Sequence, residues 1–557
     1  MQHRTKRMKF YRFPTPILLA SLLLAVPTSV KCQTPLSKTT VMVPMRDGVR
    51  LATDVYLPTQ EGAAWPVILI RTPYSKQGGA DTATGLCRRG YAVVIQDIRG
   101  RFQSEGEDFI VFSDDGWAGG RRDGHDTLHW ILSQSWCNGK IGTLGGSALG
   151  ILQNMMAPDA PDALCAQYVS VAFSSMYHQG IYQGGVFRKE LAENWLEKNR
   201  FHPENLKNFL ARYRYDEFWE QLNPEKFAER VNAPAIFHGG WYDIFLQGTI
   251  NSFVAIQNHG GPRARGNCRL VIGPWAHGNF SGLRYPPNAQ QQPAAVDRLR
   301  FFDYWLKNVV NGVPQDKPVH YYVMGDPEDP TAPGNFWRSA DSWPPPYEPL
   351  RGYFHKDGSL WWDPPQDVDA AKSYRFDPEN PVPTIGGQNL FLPKGPMDQR
   401  PVESRPDVLV FTTPTLDEPL EITGPIRARL FVSSDSPDTD FTVKLCDVYP
   451  DGRSMLVTDG IFRARFREGL DREAFLEPGQ VYELEVDLWS TSLILNRGHR
   501  IRVAVSSSNA PRFEPNPNTG KPHLGMGPSR VATNSLHLSA KYPSHIILPR
   551  YSGKKDW

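Results

Sequence analysis

Residues 140–156 read as a buried strand, Lys140–Leu144, that passes through Gly145-Gly-Ser147-Ala-Leu-Gly150 straight into a helix-compatible run, Ala148–Met156. A serine on so tight a strand-to-helix turn needs small neighbours, because a bulky one would strike the adjoining strand or helix. The usual G-x-S-x-G spacing is not met: Leu149 stands where the second glycine belongs, and Gly150 follows one residue later. The turn fits best where strands alternate with helices, so an α/β sheet is expected around it.

The first half of the chain has that alternation. Short apolar runs at Pro66–Ile70, Tyr91–Ile95 and Lys140–Leu144 are bounded by Gly, Pro or Asp, with helix-compatible stretches such as Asp126–Leu132 between them. Residues 39–57 alternate around Met45-Arg-Asp-Gly48, a hairpin signal. Strand signals return at Pro234–Gly239 and Arg269–Ile272, and a helical stretch, Ala295–Val310, follows. Between these halves, the region from Phe187 to Leu196 and the region Pro203–Gln221 are amphipathic and strand-poor, which predicts inserted helices. After Trp343-Pro-Pro-Pro346 the runs Val408–Thr412, Ile426–Ser433, Thr442–Val448, Tyr482–Leu488 and Ile501–Ser506 are β-rich and punctuated by Pro and Gly, the texture of a sandwich or jelly roll. The 557 residues fit two or three domains. We expect an α/β core over 38–175 and 231–343, a helical cap over 176–230 and an all-β domain over 347–557.

Composition narrows the function. With 61 Lys+Arg against 59 Asp+Glu there is no field for gripping nucleic acid. The 15 Trp, 21 Tyr and 28 Phe argue against disorder. Residues 1–12 are basic and acid-free, the apolar run 17–26 follows, and small or turn-forming residues lead to Cys32. That is the plan of a secretory signal over 1–32, and the run is too short to span a bilayer. Cleavage after Cys32 is expected, with Met1 or Met8 as the start. Lys31 disfavours a lipid anchor on Cys32. An exported, periplasmic or extracellular protein is expected, with a slightly acidic mature chain. Cys87, Cys137, Cys165, Cys268 and Cys446 form no CxxC pair and read mostly as small buried apolar residues, with one disulfide left open.

A nucleophilic serine needs a base and an orienting acid. In α/β hydrolases these follow in the order Ser, acid, His. Asp243, just after the strand at 234–239, and His277, just after the strand at 269–272, meet that order. Loops beyond the carboxyl ends of parallel strands are where such sites assemble.

The chain resembles the serine-hydrolase family that joins X-prolyl dipeptidyl-peptidases, cocaine-esterase-type (CocE/NonD) esterases and α-amino-acid ester hydrolases. The resemblance runs from about Val41 to His545. It is carried by Arg71-Thr-Pro-Tyr74, the stretch Gln96–Gly106, Trp136–Gly150, Gly239-Gly-Trp-Tyr-Asp243 and Val271–His277, and later by Gly498–Arg502, Ser506–Asn509 and Asn516–Gly520. It implies an α/β-hydrolase core, an inserted helical cap and a galactose-binding-like jelly roll. It further implies Ser147 as nucleophile, His277 as general base, Asp243 as its orienter, and an oxyanion hole made by the Tyr74 hydroxyl and the Ala148 amide. Many relatives have Tyr where this chain has Ala148, so the wall beside the nucleophile is smaller. Relatives specific for α-amino acyl esters carry acids shortly after the triad Asp; here Ile244, Phe245 and Leu246 follow. Free α-amino acyl esters are therefore expected to be poor substrates. Trp241, Tyr242, Phe245 and Trp275 are expected to form an apolar acyl or aromatic pocket.

His125, Asp126 and His129 lack an H-E-x-x-H pattern and read as a surface helix, and no metal or cofactor is expected. Asp97 and Arg99 read as structural, and His499 as packing. The favoured reading is an exported serine hydrolase acting through an acyl-enzyme on a small-molecule ester or amide, or a short peptide. Two alternatives stand beside it. One is an Xaa-Pro dipeptidyl-peptidase, which needs an anchor for the peptide ammonium, with Glu190, Glu193 and Glu197 in the cap as candidates. The other is a catalytically silent scaffold whose jelly roll binds carbohydrate or protein. Self-association into a homo-oligomer is left open.

Overall fold

In the run from Val67 to Ile70 successive side chains point to opposite faces, and each face finds its own cover. Ile68 and Ile70 join Val93 and Ile95 in a layer closed by Leu86, Phe301, Phe302 and Leu306, while Val67 and Leu69 join Val94 beneath Leu128, Ile131 and Met156. A strand apolar on both faces belongs inside a parallel sheet with helices above and below. Truncating one of these residues, such as Leu69 to Ala, costs about 2–5 kcal/mol by the cavity it leaves.

The computed structural model describes residues 37–59, 64–113, 120–277 and 286–557. The signal-like segment 1–32, with both candidate starts and the cleavage site, lies outside the described residues. Ten strands form the large sheet: β1 (Ser37–Pro44), β2 (Arg50–Leu57), β3 (Trp65–Thr72), β4 (Ala92–Asp97), β5 (Cys137–Gly146), β6 (Leu164–Ser170), β7 (Ala235–Tyr242), β8 (Arg269–Ala276), β9 (Val319–Val323) and β10 (Phe336–Ala340). They lie in the order β1-β2-β4-β3-β5-β6-β7-β8-β9-β10. From β4 through β9 every pairing is parallel; β1, β2 and β10 are antiparallel flanks. The hairpin read at 39–57 is the β1–β2 pair, which turns at Gly48 with φ +84°.

The stretch read as helical at 295–310 divides. A short 3-10 turn, Ala294–Val296, precedes the helix Arg298–Lys307, which Asp297 caps by accepting from the Arg300 N–H and Asn308 ends in a left-handed conformation. The cap is likewise broken into short pieces. Lys189–Lys198 is one helix, but Pro203–Gln221 yields two, Glu204–Ala211 and Glu217–Gln221, the second started by Asp216. A π-helical turn, Met176–Ile181, leads into the cap.

From Tyr347 onward the chain is almost entirely antiparallel β. A seven-stranded sheet centres on the long pair Leu420–Ser434 and Tyr482–Leu495, and a four-stranded sheet holds Leu409–Thr412, Arg500–Ser506, Asp440–Val448 and Ser454–Arg463. Both contribute to one apolar core, giving a jelly-roll sandwich. Three buried ion pairs brace it: Arg463–Asp440 at 2.9 Å, Arg465–Asp438 at 2.7 Å and Arg512–Asp459 at 2.7 Å. Asn516 donates to both Asp438 and Asp440, and Asn509 to Asp459, which is why these asparagines sit in the C-terminal motif blocks. Breaking such a pair by removing one partner costs about 3–5 kcal/mol.

The sandwich is joined to the core and the cap. Met324 pairs with Leu493, and buried Arg338 meets Glu421 at 2.5 Å. The Arg463 N–H donates to the Gly184 carbonyl, and the Tyr215 N–H to that of Leu470. All five described cysteines are free thiols; Cys137 is half-buried and the other four are buried. Burial pushes the Cys87 and Cys268 thiols up to about 12.

Candidate active site

Ser147 sits between the end of β5 and the helix Ala148–Met156, with φ +56° and ψ −128°. A non-glycine residue there is strained and persists only because its surroundings hold it. Its N–H donates to the Ser170 carbonyl on β6, and its own carbonyl accepts from Gly150 and Ile151. The displaced glycine is explained by packing. A side chain at Gly145 would collide with Leu149, and one at Gly150 would come within 2.9 Å of Ala172 and of the Ser170 carbonyl. Glycine is thus required where the helix presses on β6, one residue beyond the usual place, and Leu149 is free to point elsewhere.

Asp243 follows β7 and His277 follows β8, so parallel pairing of these strands brings both to one edge of the sheet. The His277 Nδ1–H donates to Asp243 Oδ2 at 2.7 Å, and Ser147 Oγ donates to His277 Nε2 at 2.9 Å. The carboxylate fixes the proton on Nδ1 and leaves Nε2 as acceptor. Asp243 Oδ1 accepts from the Phe245 N–H at 2.7 Å, and the residue is fully buried.

Tyr74, on the loop after β3, brings its hydroxyl beside Ser147. Burial raises its pKa, opposed by hydrogen bonding with Trp195 and Ser147. Trp195 Nε1–H donates to the Tyr74 hydroxyl at 2.8 Å. Ala148 opens its helix, so its N–H has no acceptor within the helix. Nothing in the sequence singles out Trp195, which there belongs to an ordinary amphipathic stripe of the cap.

The pocket beside Ser147 is apolar. It is lined by Phe112, Ile151, Phe173, Leu191, Trp195 and Phe245, with Ala148, Ala192 and Ile244 among the rest, and is narrow, about 40 Å³. Of the four aromatics expected to form it, Phe245 does, packing edge-on to His277 at 5.5 Å. The other three are placed elsewhere by the pleat. Trp241 turns to the sandwich junction, donating to the Tyr322 carbonyl and packing on Trp343. Tyr242 reaches the Leu456 carbonyl at 3.4 Å, and Trp275 stacks on His238 at 5.1 Å and against Trp337.

None of the three cap carboxylates lines the pocket among its described residues. Glu193 pairs with Lys189 on the surface at 2.7 Å. Glu190 is buried, its pKa raised by burial against the pull of the Phe391 N–H and Arg188; Glu197 is exposed. Arg188 is a second residue that the sequence did not single out. Wholly buried, it donates to the Ile244 carbonyl at 2.9 Å and to that of Gln179, which ties the cap to the segment after Asp243. Burial lowers its pKa to about 9.

The remaining singled-out groups have partners within the fold. His125 bonds the Asp159 carbonyl and lies tilted against His129 at 4.3 Å between ring centres, while Asp126 pairs with Arg46. Asp97 accepts from the Lys76 N–H, and Arg99 pairs with Asp47 and Asp123. His499 binds Asp447 at 2.8 Å inside the sandwich.

Two family models match, and together they cover most of the chain. The X-Pro dipeptidyl-peptidase (S15 family) model matches residues 47–206 and 188–279, and the X-Pro dipeptidyl-peptidase C-terminal non-catalytic domain model matches 311–547. The chain belongs to the X-Pro dipeptidyl-peptidase S15 family. This S15-family chain is a serine hydrolase. It is 34% identical to a cocaine esterase of Rhodococcus sp. (strain MB1 Bresler), with 91% of this chain and 97% of the relative aligned. Its fold matches an aminopeptidase from a marine sediment Thaumarchaeota archaeon with a TM-score of 0.81, at 25% identity over 95% of this chain and 99% of that one. An α-amino acid ester hydrolase matches with a TM-score of 0.78, at 27% identity over 96% of this chain and 100% of that one. The C-terminal model begins at residue 311, so it takes in β9 and β10, which pair into the large sheet. Among the described residues no helix is long and apolar enough to cross a membrane.

Proposed function

We propose that the protein is an exported carboxylic ester hydrolase that works through an acyl-enzyme on Ser147. The carrying observation is the unbroken hydrogen-bond chain from Ser147 Oγ through His277 to buried Asp243. Ser147 Oγ attacks the ester carbonyl while His277 Nε2 takes its proton, and Asp243 stabilises the resulting imidazolium. The carbonyl oxygen, now an oxyanion, is received by the Tyr74 hydroxyl and the Ala148 N–H, donors already in position before charge develops. His277 returns the proton to the departing alcohol. It then draws a proton from water, whose oxygen attacks the acyl carbon and releases the acid. The basic and apolar segment before Cys32 supports export.

The pocket supports an apolar or aromatic acyl group. An unpaired ammonium there would be strongly disfavoured, because the segment after Asp243 is Ile244, Phe245 and Leu246 and no described residue of the pocket is a carboxylate. Free α-amino acyl esters and Xaa-Pro peptides should be poor substrates for this reason. The test is fluorophosphonate labelling of wild type and Ser147→Ala, then a panel of p-nitrophenyl esters with Ala-Pro-p-nitroanilide. Labelling that needs Ser147, with fast turnover of apolar esters, is the expected outcome. No labelling of the folded wild type would sink the proposal, and rapid Ala-Pro release with weak ester turnover would convert it to a dipeptidyl-peptidase.

A further inference from the structure

The Met176–Gln183 segment separates two cavities. Met176, Gly180 and Ile181 line the apolar pocket at Ser147. His178, Gln179 and Gln183 line another, of about 320 Å³ and partly open, whose other walls are residues of the Leu246–His259 helix and sandwich residues near Ile461 and Trp489. This second cavity is rich in carboxamides, each of which both gives and accepts hydrogen bonds. Some are already paired. Gln247 Nε2–H donates to Asn251 Oδ1 at 2.8 Å, Asn251 Nδ2–H donates to Glu225 at 3.2 Å, and Ser490 donates to Gln247 Oε1.

Gln183 is not paired. It is 3% exposed, and neither Oε1 nor Nε2 has a partner. Asn223, 4% exposed, uses Nδ2 toward the Tyr215 hydroxyl but leaves Oδ1 without one. Buried polar atoms are costly to leave so, and both border a cavity roomy and polar enough for a small molecule. Trp489 forms another wall, at φ +65°, a conformation its surroundings must impose, with its N–H donated to Asp487 at 2.8 Å.

We infer that this cavity binds a small neutral polyhydroxylated molecule of the monosaccharide class. Ring hydroxyls donate and accept at once, so they match the free amide atoms of Gln183 and Asn223 without bringing a charge that needs a partner. Glu225, Glu485 and Asp487 supply further oxygen acceptors for hydroxyl protons, and the Trp489 indole offers an apolar wall to the C–H face of a sugar ring. Among the described residues no group of three or more His, Cys, Asp or Glu is arranged to hold a metal ion. The cavity lies across the segment from Ser147, so the inference does not rest on the ester chemistry.

The test uses the full chain with glucose, galactose and xylose, and choline as a cationic control, followed by saturation-transfer NMR and calorimetry. At least one sugar should bind with millimolar Kd. Gln183→Leu should weaken binding about tenfold or more, while p-nitrophenyl ester kcat/KM stays at the wild-type value. Asn223→Leu gives the same reading if Gln183→Leu does not fold. Absence of sugar signal at high millimolar concentration, sugar binding undiminished in the folded variants, or binding of choline in place of sugars would each overturn the inference.

Discussion

On one side of Met176–Gln183 the chain surrounds Ser147 with Phe112, Phe173, Leu191 and Phe245; on the other it surrounds a cavity with Gln183, Asn223, Glu225 and Asn251. The polar groups differ in how they are satisfied. Beside Ser147 they are few, and each is held by another: Tyr74 by Trp195, His277 by Asp243, and Asp243 by the Phe245 N–H. Across the segment, amide atoms are left over. Chemistry needs donors fixed in advance, whereas recognition can leave donors for the ligand to complete. One short stretch of backbone serves both because its π-helical turn presents Met176, Gly180 and Ile181 to one side and His178 and Gln179 to the other.

The strongest way to break this contrast is at the nucleophile. Ser147→Ala should lower ester kcat by about 10⁶-fold, since triad members act as one unit. The same assay on Gln183→Leu should show no change. Next comes the oxyanion hole. Tyr74→Phe should lower kcat by about 10²–10³ with a much smaller rise in KM. Trp195→Phe, which removes the donor that orients Tyr74, should cost about tenfold in kcat by loss of one hydrogen bond. An effect confined to KM would remove Trp195 from that role. Third is the shape of the apolar side. Ala192→Phe should lower kcat/KM for a benzoyl ester roughly tenfold or more while largely sparing the acetyl ester, because a pocket discriminates by filled volume.

These residues were not equally legible in the sequence. Ser147, Asp243 and His277 stand at strand ends punctuated by glycine, so their order and spacing carried the geometry. Trp195, Leu191 and Ala192 lie on one face of a cap helix, and a helical apolar stripe does not reveal which core it joins. The pocket aromatics illustrate the converse. Trp241, Tyr242 and Trp275 lie as close in sequence to Asp243 and His277 as Phe245 does, yet on β7 and β8 the pleat sends them toward Tyr322, Leu456 and His238. Strand β6 carries little signal in the sequence because Leu164-Cys-Ala-Gln-Tyr-Val-Ser170 has little β-branched character; its burial between β5 and β7 makes it a strand. Arg188 and Gln183 gave no signal, because their meaning lies in partners, or the lack of them, far along the chain.

The smallest effect sharpens the polar side. Burial lowers the His178 and His238 imidazoles from 6.5 to about 4. The folded chain therefore binds fewer protons than the unfolded one between those values, and each group's contribution to stability is lost as pH falls from 6.5 toward 4. Each contributes at most about 1.4 kcal/mol per pH unit in that window. Urea midpoints measured across it should fall less steeply for His178→Gln than for wild type. Equal slopes would place His178 in contact with water.

The most direct measurement is to trap the acyl-enzyme. Wild-type protein turning over an apolar p-nitrophenyl ester, quenched in acid and mapped by mass spectrometry, should carry the acyl mass on the peptide containing Ser147, and Tyr74→Phe should accumulate it more slowly. Turnover without any adduct, or an adduct on another residue, would contradict the account.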